Sequence, residues 1–300
     1  MKSEINFYIF VSIIFCAIFV SVNSCIPQTE DISEKNKYAV AVINTPVLNT
    51  EDFESVFGGV NGNRVKLDKK GLIREMEFIA FPGTVFEILE VIPKEGYNIY
   101  RVTTEDYPYY SSDIFIDSRF TKTTDTLPPE RPKTLPDKKK IIANINSLEG
   151  YPYMWGGNCG EGIDQLLEFY RPKEDLQQET LELWKLKGVD CSGLVYQATN
   201  GATPRNTSSL INYGKGIDIE GLDASQIAVL LKPLDLIVWS GHVIIVLDDN
   251  TVIESTPAGG VHKSDLLTRL NSVLNERTPV NDWGSTKGNR FVVRRWISEN

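Results

Sequence analysis

A chain of 300 residues with 41% hydrophobic and 24% charged residues has the composition of a globular protein of one large or two ordinary domains, which excludes a disordered or fibrous chain. The net charge of -9 persists when residues 1–24 are set aside, since they hold one Lys and one Glu, and an acidic surface without a basic tract speaks against nucleic acid as a partner. With two His and no Cys-x-x-Cys, no metal site is expected.

Lys2 precedes a nearly uncharged apolar run from Phe7 to Val22, sixteen residues long. That is short against the roughly 20 needed to span a bilayer and matches the apolar region of an export signal. Ser21-Val-Asn-Ser-Cys25 follows, and Val22 three residues before Cys25 resembles a lipoprotein signal, in which Cys25 becomes the lipid-modified first residue of the mature chain. Simple cleavage near Ser24 and a retained membrane anchor stay open. All three place the mature protein outside the cytoplasm, in the cell envelope, with 1–24 as signal peptide and 25–37 as tether.

Residues 38–124 read as an all-β module. Tyr38–Ile43, Thr84–Ile92, Tyr97–Val102 and Asp113–Asp117 are rich in β-branched and aromatic residues and are separated by turn signals such as Phe81-Pro-Gly83. The order of these segments resembles a bacterial SH3-like barrel. Residues 125–136 form a Pro-rich linker, with four prolines between Leu127 and Pro136, and are expected to be extended and to lack a packed core.

From Asp137 the pattern turns helical, with Ile141, Ile142, Ile145 and Leu148 on one face, a second helix expected over Gln165–Lys187 and a third opening at Cys191. After Pro204 come strands at Asp235–Trp239, His242–Leu247, Thr251–Ser255 and Phe291–Ile297. Helices followed by a run of strands predict an α+β domain over 137–300, with an antiparallel sheet packed on helices.

Cys16 and Cys25 belong to the signal, leaving Cys159 and Cys191, which could pair as a disulfide or stay free. Cys191, in Val189-Asp-Cys-Ser-Gly193, falls at the first turn of a helix. Unpaired N–H groups and the helix dipole there favour a thiolate, lowering its pKa, and the same N–H groups can hold an oxyanion. His242, at the head of His242-Val-Ile-Ile-Val-Leu247, is the expected general base, preferred over His262 in a Gly-flanked loop. Glu254 on the next strand is the expected orienter. A three-residue loop, Asp248–Asn250, pairs Leu247 with Thr251 and puts Glu254 on the face of His242, diagonally placed, whereas a two-residue turn would send it to the other face.

Asp190-Cys-Ser-Gly193 at a helix start, Pro233-Leu-Asp-Leu-Ile237 before a strand headed by His242-Val243, and a polar residue on the following strand resemble the NlpC family of cell-wall cysteine peptidases over 137–297. Gly150-Tyr-Pro-Tyr-Met-Trp-Gly-Gly157 and Thr203-Pro-Arg-Asn-Thr-Ser208 extend the match. The resemblance implies a papain-like fold and hydrolysis of the γ-D-glutamyl bond to a diamino acid, meso-diaminopimelate or Lys, in peptidoglycan stem peptides, with no cofactor. It also implies that Tyr153 lines the site near the oxyanion and that Asp190 and Ser192 bind substrate, including its free α-amine. Glu254 departs from the His, Asn or Gln usual in the third position, and the stretch 158–189 is longer than usual and is expected to form a lid or wall of the cleft. An amidase or acyltransferase using the same Cys-His pair, and a catalytically silent wall-binding lipoprotein, are the alternatives.

Overall fold

The computed structural model describes residues 36–59, 61–109, 112–284 and 287–297. The expected export segment, Cys25 and most of the tether lie outside the described residues. Among the described residues no helix is long and apolar enough to cross a membrane.

The first part of the chain runs β1 (Tyr38–Ala41), β2 (Thr45–Leu48), α1 (Phe53–Gly58), β3 (Met76–Ala80), β4 (Val85–Lys94), β5 (Tyr97–Thr103), β6 (Ile114–Asp117) and β7 (Thr121–Thr124). Its seven strands form one antiparallel sheet in the order β3-β2-β6-β5-β4-β1-β7. That is an all-β module with one short helix, capped by the Asp52 carboxylate accepting from the Ser55 N–H.

The 125–136 segment forms no helix or strand. It is nevertheless pinned. Arg131, 8% exposed, donates to Asp106 of the β module at 2.8 Å and to the Asn200 carbonyl at 3.0 Å. A buried cation with carboxylate and carbonyl partners fixes the linker in a way its proline content does not foretell.

The remainder runs α2 (Lys138–Asn146), β8 (Asn158–Cys159), α3 (Gln165–Phe169), α4 (Gln178–Trp184), β9 (Gly188–Val189), α5 (Cys191–Ala198), α6 (Thr207–Leu210), β10 (Lys215–Ile217), α7 (Ala224–Leu230), β11 (Leu236–Trp239), β12 (His242–Val246), β13 (Thr251–Thr256), β14 (Gly260–Asp265), α8 (Leu266–Glu276), β15 (Thr278–Pro279) and β16 (Arg290–Arg295). The main sheet has the order β10-β16-β11-β12-β13-β14 and is antiparallel throughout, while β15 joins β16 in parallel. Mixed α and β structure with antiparallel sheets is the expected class.

Both faces of this sheet are covered. Ile141 and Ile145 of α2 and Leu194, Val195 and Ala198 of α5 pack on Leu236, Val238, Val243, Ile245 and Ile253. Ile227 of α7 and Leu266, Leu270 and Val273 of α8 pack on Ile237, Trp239, Ile244, Val246 and Val252. Burial on two faces explains why β11 and β12 read as unbroken apolar runs rather than alternating ones.

Two local expectations are corrected. The single helix over 165–187 is two short helices, because Pro172 lacks an amide hydrogen and disfavours helix at the residue before it. His262 lies in strand β14, not a loop. From the 158–189 stretch, Cys159, Ile163, Leu166, Tyr170, Trp184 and Leu186 share one core, together with Met154, with Phe53, Phe57, Ile73, Met76 and Phe120 of the β module. Sheet and sequence divide this chain in two, but the core does not.

Candidate active site

Asp190 caps α5, its Oδ1 accepting from the Gly193 N–H at 2.6 Å. Gly193 is required by close approach, since a Cβ there would lie 1.9 Å from the Gly157 carbonyl oxygen. These two residues seat the helix so that Cys191 is its first residue. Cys159 and Cys191 are both free thiols.

The Cys191 thiol donates to the carbonyl of Gly241 at 4.0 Å, the residue before His242. Burial foremost, and then the Asp190 carboxylate, push its pKa up to about 12, while the Val243 and Ser192 N–H groups and Arg205 pull the other way. The expectation of a thiol lowered by its helix start is thus reversed in the resting protein. Cys191 is only 7% exposed and the residue capping its helix is an anion, and these outweigh a dipole from a helix of two turns.

Asp190 and Ser192, expected to meet substrate, are turned inward. Arg205, 1% exposed, donates from Nη1 to Asp190 Oδ1 at 3.0 Å and from Nη2 to Oδ2 at 2.8 Å. Its Nη1 also reaches Ser192 Oγ at 2.8 Å, and that hydroxyl donates to Asp190 Oδ1 at 2.9 Å. Arg205 Nε donates to Asn158 Oδ1 at 3.1 Å, and the Asn158 amide exchanges hydrogen bonds of 2.9 and 2.8 Å with the backbone of Ile79. A bidentate ion pair with every donor used is the arrangement in which a buried Arg and Asp are held without an unpaired charge. It ties the first turn of α5 to strand β3.

β12 and β13 pair with Ile245 opposite Ile253 and Val246 opposite Val252, the register of the three-residue loop. Glu254 therefore shares the face of His242, and Glu254 Oε2 lies 2.6 Å from His242 Nε2. Glu254 is 2% exposed and also takes Arg269 of α8, with Nε on Oε1 at 2.6 Å and Nη2 on Oε2 at 3.0 Å. Burial alone would raise its pKa, but the hydrogen bonds from His242 and Arg269 outweigh burial and hold it at about 2. An ionised carboxylate has no hydrogen to offer, so His242 Nε2 is the donor and Nδ1 is left as the nitrogen that can take up a proton. The Trp239 ring lies tilted against the imidazole with centroids 5.1 Å apart, and Arg277 lies over that Trp ring at 4.5 Å.

By strand alternation His242 belongs to the face of Ile244 and α8, while Cys191 comes from α5 on the other face. Thiol and imidazole arrive at the head of β12 from opposite sides of the sheet. The Tyr153 hydroxyl is raised above the ordinary value by burial first, and then by the charges of Asp190 and Cys191. Arg74, from the β module, acts on it in the opposite sense and stacks over the Trp155 ring at 3.7 Å.

Arg269, Arg205 and Asn158 are the site residues that motif reasoning missed. Arg205 stood in a quoted segment without a role, and Arg269 has no motif around it. A cue existed for its helix, in Asp265 followed by Leu266, Leu270 and Val273 at helical spacing. Among the described residues no cluster of His, Cys, Asp or Glu could hold a metal ion.

No protein-family model matches the chain, and no curated protein matches it. Two solved structures that resemble it are NlpC/P60 family proteins. One, from Bacillus cereus, has 15% identity over 89% of this chain and 65% of its own, with a TM-score of 0.33. The other, from Staphylococcus aureus and described as similar to lipoprotein, has 20% identity over 56% of this chain and 52% of its own, with a TM-score of 0.27. The chain thus spans less than two thirds of the length of either.

Proposed function

We propose that this protein is a cell-envelope cysteine peptidase acting on peptidoglycan stem peptides at the γ-D-glutamyl bond to a diamino acid, with Cys191 as nucleophile, His242 as general base and Glu254 as its orienter. The observation that carries this is the 2.6 Å bond from His242 Nε2 to Glu254, which presents Nδ1 at the head of the strand that the Cys191 helix start abuts. The sequence resemblance to the NlpC family supplies the bond and the substrate. Export by residues 1–24 and lipidation at Cys25 belong to the same proposal.

In this mechanism the Cys191 proton leaves the Gly241 carbonyl for His242 Nδ1, and the sulfur attacks the amide carbonyl carbon. The backbone N–H of Cys191 at the start of α5 takes the oxyanion. His242 returns the proton to the leaving amine as the C–N bond breaks, and then deprotonates a water that cleaves the thioester and restores the thiol.

Burial of the thiol, and its pKa near 12, favour a second reading, a catalytically silent wall-binding lipoprotein. Incubation with stem tripeptide and tetrapeptide, beside a Cys191→Ala variant, decides between the two. Turnover abolished by the substitution is expected; wild-type turnover no greater than that of Cys191→Ala would overturn the peptidase reading. Release of a different acyl product would instead mark an amidase or acyltransferase.

A further inference from the structure

We propose that Arg269 is a positioning residue of this site: its two-point grip on Glu254 fixes the carboxylate and cancels the carboxylate's charge, so that His242 faces an orienting acceptor rather than a bare anion. The inference rests on the reading of His242 as the base, and its test is arranged to survive the failure of that reading.

The geometry leaves little freedom. Glu254 is 2% exposed and has a bond from Arg269 on each oxygen, at 2.6 and 3.0 Å, with His242 sharing Oε2. Such a parallel fork sets the plane of the carboxylate as well as its position. Without Arg269, a buried anion 2.6 Å from the imidazole would hold the imidazolium more firmly, and a base that holds its proton too tightly returns it poorly to a leaving amine. With Arg269, the Glu–Arg unit is close to neutral and resembles a neutral polar orienter in its action on the ring.

The groups that face His242 are few. Glu254 comes from β13 and Trp239 from β11, while Cys191 of α5 bonds the carbonyl of Gly241, the residue before His242. Arg269 acts through Glu254, and Glu276 acts on Arg269 in turn. His262 stands opposite Glu254 on β14 but directs Nδ1 to the Gly260 carbonyl at 3.1 Å. Arg277 lies over the Trp239 ring. Of these, Arg269 is the cation bonded to the carboxylate that orients the ring.

The test reads the imidazole directly. The chain has two His, so a His262→Gln background leaves a single imidazole signal in a proton NMR titration of the intact protein. Arg269→Met is expected to raise the His242 titration midpoint by about one pH unit. Arg269→Lys, which keeps the charge and loses the fork, is expected to leave the midpoint near the wild-type value and to lower kcat. Adding Arg269→Met to Glu254→Gln is expected to produce at most a third of the shift seen with Glu254 present.

An unchanged midpoint in a folded Arg269→Met protein would overturn the proposal, as would an equal shift in the Glu254→Gln background. If Arg269→Met does not fold, full kcat in Arg269→Lys overturns the positioning role. Absence of turnover in the wild type would end the peptidase reading but leaves the titration result standing.

Discussion

Glu254 makes stability depend on pH in a way that a single substitution isolates. Its carboxyl ordinarily titrates at 4.5 and is held at about 2 in the folded protein. A depressed folded pKa contributes stability that is present in full above the unfolded value and lost as pH falls toward the folded one. At about 1.4 kcal/mol per unit, a displacement of this size is worth about 3 kcal/mol, most of which is lost by pH 3. Because the group is 2% exposed, solvent screening takes little from that figure. Other carboxylates held low, Asp68, Asp106, Glu182, Asp248 and Asp265, are common to wild type and Glu254→Gln and cancel in the difference. Urea unfolding at pH 6 and at pH 3 should therefore show wild type losing about 2 kcal/mol more than Glu254→Gln between the two. Parallel losses in the two proteins would show that the His242–Glu254–Arg269 group carries no such coupling.

Trp184, fully buried in the core common to the 158–189 stretch and the β module, is expected to cost about 3–5 kcal/mol when replaced by Ala, and both parts should melt in one transition followed by near-ultraviolet circular dichroism. Arg205→Met strands the Asp190 carboxylate and is expected to cost about 3–5 kcal/mol in chemical denaturation; adding Asp190→Asn should restore a substantial part of it, the signature of a buried pair.

Much of the site's local framework was legible because its determinants are short-range. Asp190 before Cys191 reads as a helix cap, and the three residues between Leu247 and Thr251 set the register that brings Glu254 to His242. Helices α7 and α8 were legible but passed over: Asp223 with Gln226 forms a capping box, and Asp265 heads an amphipathic stretch. Missing α8 meant missing Arg269, and with it the partner that makes sense of Glu254. The fusion of the two cores was not legible at all. Phe57 and Tyr170 stack at 5.1 Å across more than a hundred residues, and nothing in the pattern around either names the other. The inward turn of Asp190 and Ser192 was hidden for the same reason, since their partner Arg205 arrives from a separate loop.

The common core also bears on how such a chain can change over generations. A β module joined to its neighbour only by a proline hinge can be exchanged, duplicated or dropped by recombination at that hinge. Here the hinge is anchored at Arg131, and the module's apolar face is completed by Trp184, Tyr170 and Leu186 from the far side of it. Cutting at 125–136 would uncover two hydrophobic surfaces at once. Inheritance of the two parts is therefore tied, and the side chains that line their contact must drift together. Asn158 carries that tie to within one side chain of the first turn of α5, so β3 and Arg205 are joined through a single amide.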